Sequence, residues 1–129
     1  MNMESERIVC PVDKTLNLIN KKWSIQIIRD MFFGKKHFKE FLEDKPKLSN
    51  KVLSECLKNL EENGLIKKEV LNTTPVTTQY YLTDYGRSMN RIVYELAMFT
   101  LHDEADNNYS PETRIKLEKD FREVLNIGD

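Results

Sequence analysis

The sequence predicts a mainly α fold with one small β-hairpin, and three observations point to it. Apolar residues recur at helical spacing over most of the chain. Only two short runs, within residues 65–82, have the β-branched and aromatic character of strands, and Asn72-Thr73-Thr74-Pro75 separates them. With 129 residues, 40% of them hydrophobic, and only four glycines and four prolines, the chain suits one compact helical domain.

In chain order, residues 8–11 read as extended or turning, and Asp13 is positioned to cap a short helix over about 12–20 that carries Leu16, Leu18 and Ile19. Residues 23–33 place Trp23, Ile27 and Met31 beside Ile28 and Phe32, the pattern of a buried central helix ended by Gly34. Trp23, Phe32, Phe33, Phe38 and Phe41 all read as core. A short amphipathic helix follows, with Phe38, Phe41 and Leu42 inward and Lys39, Glu40 and Glu43 outward. Pro46 disfavours helix at Lys45, Ser49 is a good N-cap, and Asn63-Gly64 stops the next helix. Helix, tight turn and capped helix over about 37–63 form a helix-turn-helix, and the hairpin at about 65–82 is its wing.

Thr83 caps what reads as one long helix to about residue 102, with Met89, Ile92, Val93, Leu96, Phe99 and Thr100 on a largely apolar face. An acidic linker, 103–108, precedes Ser110-Pro111-Glu112, a favourable helix start. The last helix carries a narrow stripe of Ile115, Leu117, Phe121 and Leu125, with Val124 beside it, that packs on its own domain or on a second subunit.

The helix after Ser49 has two unlike faces. Val52, Leu53, Cys56, Leu57 and Leu60 fall on one side, and Lys47, Asn50, Lys51, Ser54 and Lys58 gather on the other. The second face is short, polar and cationic, with Glu55 only at its edge, which suits a DNA groove. A net charge of -1 argues against a generally basic binder, but the charge is uneven. Residues 34–70 hold nine Lys/Arg against seven Asp/Glu, and residues 71–129 hold six against ten. The window 34–51, with Lys35, Lys36, Lys39, Lys45, Lys47 and Lys51, is placed to face phosphates while the acidic tail faces away.

Catalysis has no support: there is no glycine-rich phosphate loop, no nucleophile–histidine–acid ordering and no paired carboxylates on an apolar face. His37 and His102 do not form metal-ligand spacing with either cysteine, so no metal or other cofactor is expected. No run approaches a membrane span, and the polar N-terminus lacks the order of a signal peptide, so a cytoplasmic location is expected. Cys10 and Cys56 are then expected as thiols rather than as a bridge.

With these elements in order, the chain resembles an HxlR-type winged-helix transcription regulator of the MarR-like superfamily. The marks are Cys10-Pro11-Val12, Lys22-Trp23, Phe38, Leu48-Ser49 with Val52-Leu53 and Leu57, Leu60-Glu61, Asn63-Gly64-Leu65-Ile66, Pro75, Tyr80, Leu82-Thr83 and Gly86. The resemblance implies a homodimeric DNA-binding protein, commonly a repressor, joined through helices at about 12–20 and 83–126. Each subunit would place its recognition helix in the major groove of a near-palindromic operator. It also implies an oxidant, aldehyde or other electrophile as effector, with Cys10 at the sensing position. Such wings usually carry an arginine two residues after the proline corresponding to Pro75, where this chain has Thr77.

Asn50, Lys51 and Ser54 are the expected base-reading residues, beside the Ser49 cap, with Lys47 and Lys58 nearer phosphate. Lys36, beside His37 at the start of the first motif helix, and Lys68 and Thr77 on the wing add expected backbone contacts. Two readings of Cys10 stand: a thiol activated beside Arg7 and ahead of a helix start, or a packed small residue near a dimer contact. Cys56, on the apolar side, reads as inert core. An effector pocket would lie between the central and long helices, although no convergent polar set marks it. The competing function is a winged-helix module that binds protein rather than DNA, which the acidic tail would suit.

Overall fold

The computed structural model describes residues 8–106 and 108–128. Among the described residues, seven helices and one hairpin follow one another as α1 (Pro11–Leu18), α2 (Ser24–Phe32), α3 (Phe38–Leu42), α4 (Asn50–Glu62), β1 (Ile66–Leu71), β2 (Thr77–Leu82), α5 (Asp84–Arg87), α6 (Asn90–Leu101) and α7 (Pro111–Val124). Arg7, offered as a neighbour of Cys10, lies outside the described residues.

The core forms where α2, α3, α4 and the wing base meet. Ile27, Ile28, Phe41, Leu53, Leu60 and Leu65 are fully buried there. Gly64 ends α4 with φ 76°, a left-handed turn that glycine adopts without a Cβ penalty. Leu65 then enters the core, and β1 pairs antiparallel with β2 from Ile66↔Leu82 to Leu71↔Thr77. The wing is tied to the motif by the Tyr80 amide, which donates to the Lys36 carbonyl at 2.8 Å. The Tyr80 ring meets Phe41 edge-on at 6.3 Å.

Several local expectations change. Cys10, not Asp13, holds the N-cap position of α1, because Pro11 takes the first helical position and leaves Asp13 in the first turn. The long helix expected over 83–102 is two helices broken at Ser88-Met89. The Ser88 amide donates to both Asp84 and Tyr85 carbonyls, the Met89 amide donates to Gly86, and this tight turn sends Met89 into the core. Phe33 is not core; it is 45% exposed and packs edge-on against Phe121 of α7, with centroids 5.3 Å apart.

The terminal helix packs on its own chain. Leu125 is buried and Leu117 and Phe121 are half-buried, whereas Ile115 of the same stripe is exposed. Asn90 Nδ2 donates to the Leu125 carbonyl at 2.8 Å, and Arg114 donates to the carbonyls of Leu101 and Asp106. Arg122 lies over the Tyr94 ring at 5.3 Å, and His102 meets Glu118. That contact holds the Glu118 carboxyl below its ordinary value, with Arg122 adding to the effect.

Candidate nucleic-acid interface

The recognition helix α4 is built by a local cap and a distant core. Ser49 Oγ accepts the Val52 amide at 3.1 Å, so one free first-turn donor is satisfied while the hydroxyl keeps its own proton to donate. Leu53, Cys56, Leu57 and Leu60 are buried, which turns Asn50, Lys51, Ser54 and Lys58 outward. Val52 departs from the expected apolar face and is 40% exposed, at the boundary between the core and solvent-facing sides. Cys56 is buried beside Ser24 Oγ at 3.9 Å, and burial pushes its thiol pKa up, as an inert core thiol requires.

The cationic window divides into two groups. Lys45, counted with the phosphate-facing lysines, is buried instead: its ammonium bonds the Asp30 carboxylate, Asp44 Oδ1 at 2.9 Å and the Phe41 carbonyl at 3.0 Å. Asp30 is buried as well, so a lysine there has a partner that offsets its lost hydration. Lys35 is drawn to Asp44 at 3.4 Å. Those contacts, Lys45 first and Lys35 after it, bring the Asp44 carboxyl down to about 2. By contrast Lys36, Lys47, Lys51, Lys58 and Lys68 are exposed, and the described residues include no carboxylate within salt-bridge distance of them. A positive surface without internal partners remains on the helix, the turn before it and the wing.

Lys36 and His37 open α3 through a capping contact. Glu40 Oε1 accepts the His37 amide at 2.8 Å and the Lys36 amide at 3.2 Å, and these bonds, the Lys36 one foremost, lower its pKa. His37 Nδ1 lies 3.4 Å from the Thr78 carbonyl, so this ring faces the wing. Thr77 is half-buried, with its hydroxyl 3.4 Å from that of Thr73. Arg87, which sequence reasoning missed, lines one concave surface with Lys36, Tyr80 and Tyr81.

Cys10 is half-buried at the start of α1, and no residue of α1 is buried. Val12 and Leu16 are exposed on α1, as are Ile92, Leu96 and Phe99 on α6, with Phe99 84% exposed.

Residues 18–107 match the HxlR-like helix-turn-helix family. The transcriptional regulator YodB of Bacillus subtilis is 37% identical over 89 residues, which cover 68% of this chain and 80% of YodB. YdeP of the same organism, an uncharacterised HTH-type regulator, is 34% identical over 87 residues, 67% of this chain and 68% of its own. Among solved structures, the oxidised redox regulator HypR superposes with a TM-score of 0.69 at 32% identity, covering 75% of this chain and all of HypR. Reduced YodB gives 0.65 at 34% identity, covering 78% of this chain and all of that one. Motif, wing and outward polar helix thus agree with the matched sequence: the chain belongs to the HxlR-like helix-turn-helix family and is a transcriptional regulator.

Proposed function

We propose that the protein is a homodimeric, sequence-specific DNA-binding repressor that answers to oxidants or other electrophiles through Cys10. The observation that carries DNA binding is the outer face of α4, where Asn50, Lys51, Ser54 and Lys58 stand exposed without partners among the described residues, opposite the buried Leu53, Cys56, Leu57 and Leu60. Asn50, Lys51 and Ser54 read base edges, while Lys47 and Lys58, with Lys36, Lys68 and Thr77 at the wing, hold the backbone. Lys51→Ala is expected to weaken binding to DNA adjoining the protein's own gene by about tenfold. The measurement is a gel-shift titration at fixed salt, with an unchanged far-UV circular dichroism spectrum as control. Unchanged affinity would remove Lys51 from the interface. Failure of the wild type to shift any fragment of a genomic pool would favour the protein-binding module.

The exposed apolar residues of α1 and α6 support the dimer. Val12 and Leu16 are four apart, as are Ile92 and Leu96, so each helix presents one apolar side to a partner. Phe99→Glu is expected to yield monomer in sedimentation experiments while preserving helicity; a dimer that persists unchanged would place the interface elsewhere.

Two relatives of known structure support this reading: HypR is a redox regulator, and YodB is known in a reduced and in a diamide-treated form. Cys10 is the accessible thiol of the described residues and neighbours the exposed Ile8, Val9 and Val12. With diamide as oxidant, two Cys10 thiols from two protomers lose two electrons and two protons, form one S–S bond and reduce diamide to the hydrazine. A covalent dimer on a non-reducing gel is expected for the wild type and not for Cys10→Ser. Its survival in that variant would exclude Cys10 as the bridge.

A further inference from the structure

The wing ends in an apolar tip that carries no cation. Val70 is 55% and Val76 64% exposed, Pro75 beside Val76 is exposed as well, and no Lys or Arg occurs between Lys68 and Arg87. The tip is held in shape from within: the Thr73 hydroxyl donates to the Pro75 carbonyl at 2.6 Å and stands 3.4 Å from the Thr77 hydroxyl. Exposed valines and a proline on a braced, protruding turn mark a contact surface of apolar character.

The placement of the tip identifies what it meets. Gly64 and Leu65 join the wing to α4 directly, and Ile66 at its base is buried. From there β1 runs to Leu71, a rise of roughly 17 Å at about 3.4 Å per residue. Half a turn of B-DNA, about 17 Å, separates a major groove from the next minor groove. With α4 in the major groove, the tip therefore reaches the flanking minor groove, while the exposed Lys68, partway along the strand, lies nearer the bordering phosphates. The chemistry agrees. Over A·T pairs the floor of this groove has no amino group, whereas each G·C pair adds the guanine N2 donor. The side chains of Pro75 and Val76 offer no acceptor, and the Pro75 carbonyl is already engaged by Thr73. A guanine amino group beneath this tip loses its water without a replacement.

We propose that Val76, with Pro75 and Val70, selects the minor groove flanking each half-site by apolar contact, accepting A·T pairs and rejecting the guanine amino group. The proposal rests on the DNA-binding reading above and adds a sequence preference outside the bases that α4 contacts. A cationic wing contact draws on phosphate charge and fades with salt; this one draws on apolar burial and does not.

Gel-shift titrations of the full-length protein test it on the tightest-bound fragment of a genomic pool, prepared in three forms: unmodified, with inosine replacing guanine, and with diaminopurine replacing adenine. Inosine removes the minor-groove amino group and diaminopurine adds one, while both keep the major-groove edge that α4 reads. Wild type is expected to bind the diaminopurine form about tenfold more weakly than the unmodified one, and the inosine form at least as tightly. Val76→Ala is expected to lose about fivefold on unmodified DNA with an unchanged slope of log K against log salt, and to reduce the diaminopurine penalty to about twofold. Val76→Arg should steepen that slope by about one. Both changes fall on an exposed turn and leave the core untouched. An equal diaminopurine penalty in wild type and Val76→Ala, or equal affinity of the two for unmodified DNA, would overturn the proposal while DNA binding stands, and would leave the tip to a protein partner. Failure of the wild type to shift any fragment would defeat the DNA reading itself and this proposal with it.

Discussion

Replacing Lys45 with alanine is expected to destabilise the fold by about 3 kcal/mol, a large share of the stability of a domain this size. Lys45 lies in the turn between α3 and α4, yet it is only 5% exposed. Its ammonium joins three elements: Asp30 of α2, the Phe41 carbonyl of α3 and Asp44 in the turn itself. Truncation leaves Asp30 buried with Arg29 as its one remaining cation, and removal of one partner of a buried pair costs more than removal of both. Urea denaturation should show a lower midpoint with an unchanged slope. The double variant Asp30→Leu/Lys45→Met should recover most of the loss; a single variant within 0.5 kcal/mol of wild type would show that the pair does not set the turn. Asp44 adds an acid dependence. Its carboxyl is lowered from 3.8 to about 2, so its contribution is fully present above pH 4 and is lost as the pH falls towards 2. The contribution is small, because Asp44 is largely exposed.

Gly86→Ala is expected to cost about 3 kcal/mol for a steric reason. A Cβ at Gly86 would collide with the Leu65 carbonyl oxygen, reach the carbonyl carbon at 3.0 Å and stand 3.1 Å from Leu82 Cδ2. The carbonyl cannot move aside freely, since it accepts the Thr83 amide at 3.0 Å and the Thr83 hydroxyl at 3.1 Å. The helix α5 is thereby pressed onto the residue that links the recognition helix to the wing. A fall of about 10 °C in thermal midpoint is expected, together with weaker DNA binding at temperatures where the variant remains folded. A midpoint within 2 °C of wild type would mean that the junction relaxes without cost.

Three helix starts were legible because their bonds are local. Ser49, Thr83 and Ser110 each accept an amide three residues ahead, from Val52, Gly86 and Thr113, and no tertiary partner is needed. The hairpin was legible from its β-branched and aromatic runs, and the helix-turn-helix from the spacing of Phe41, Leu53, Leu57 and Leu60. Cys56 followed from the same period. Lys45 was not legible: among six lysines in one window nothing local distinguishes the one whose partner lies fifteen residues earlier on another helix. Val52 and Phe33 were misjudged for a related reason. Helical phase gives the side of a residue but not how far the neighbouring element extends over it.

The sequence by itself determined the order of elements, their caps and the face of α4 turned away from the core, because all three depend on contacts within a few residues or on helical period. Only the tertiary structure decided which lysines remain exposed and which is consumed by Asp30. It alone decided that α7 folds back on α2 and α6 and walls a cavity there. Those outcomes depend on charges and surfaces brought together from distant parts of the chain, and burial sets whether a cation faces solvent or is bound within its own core.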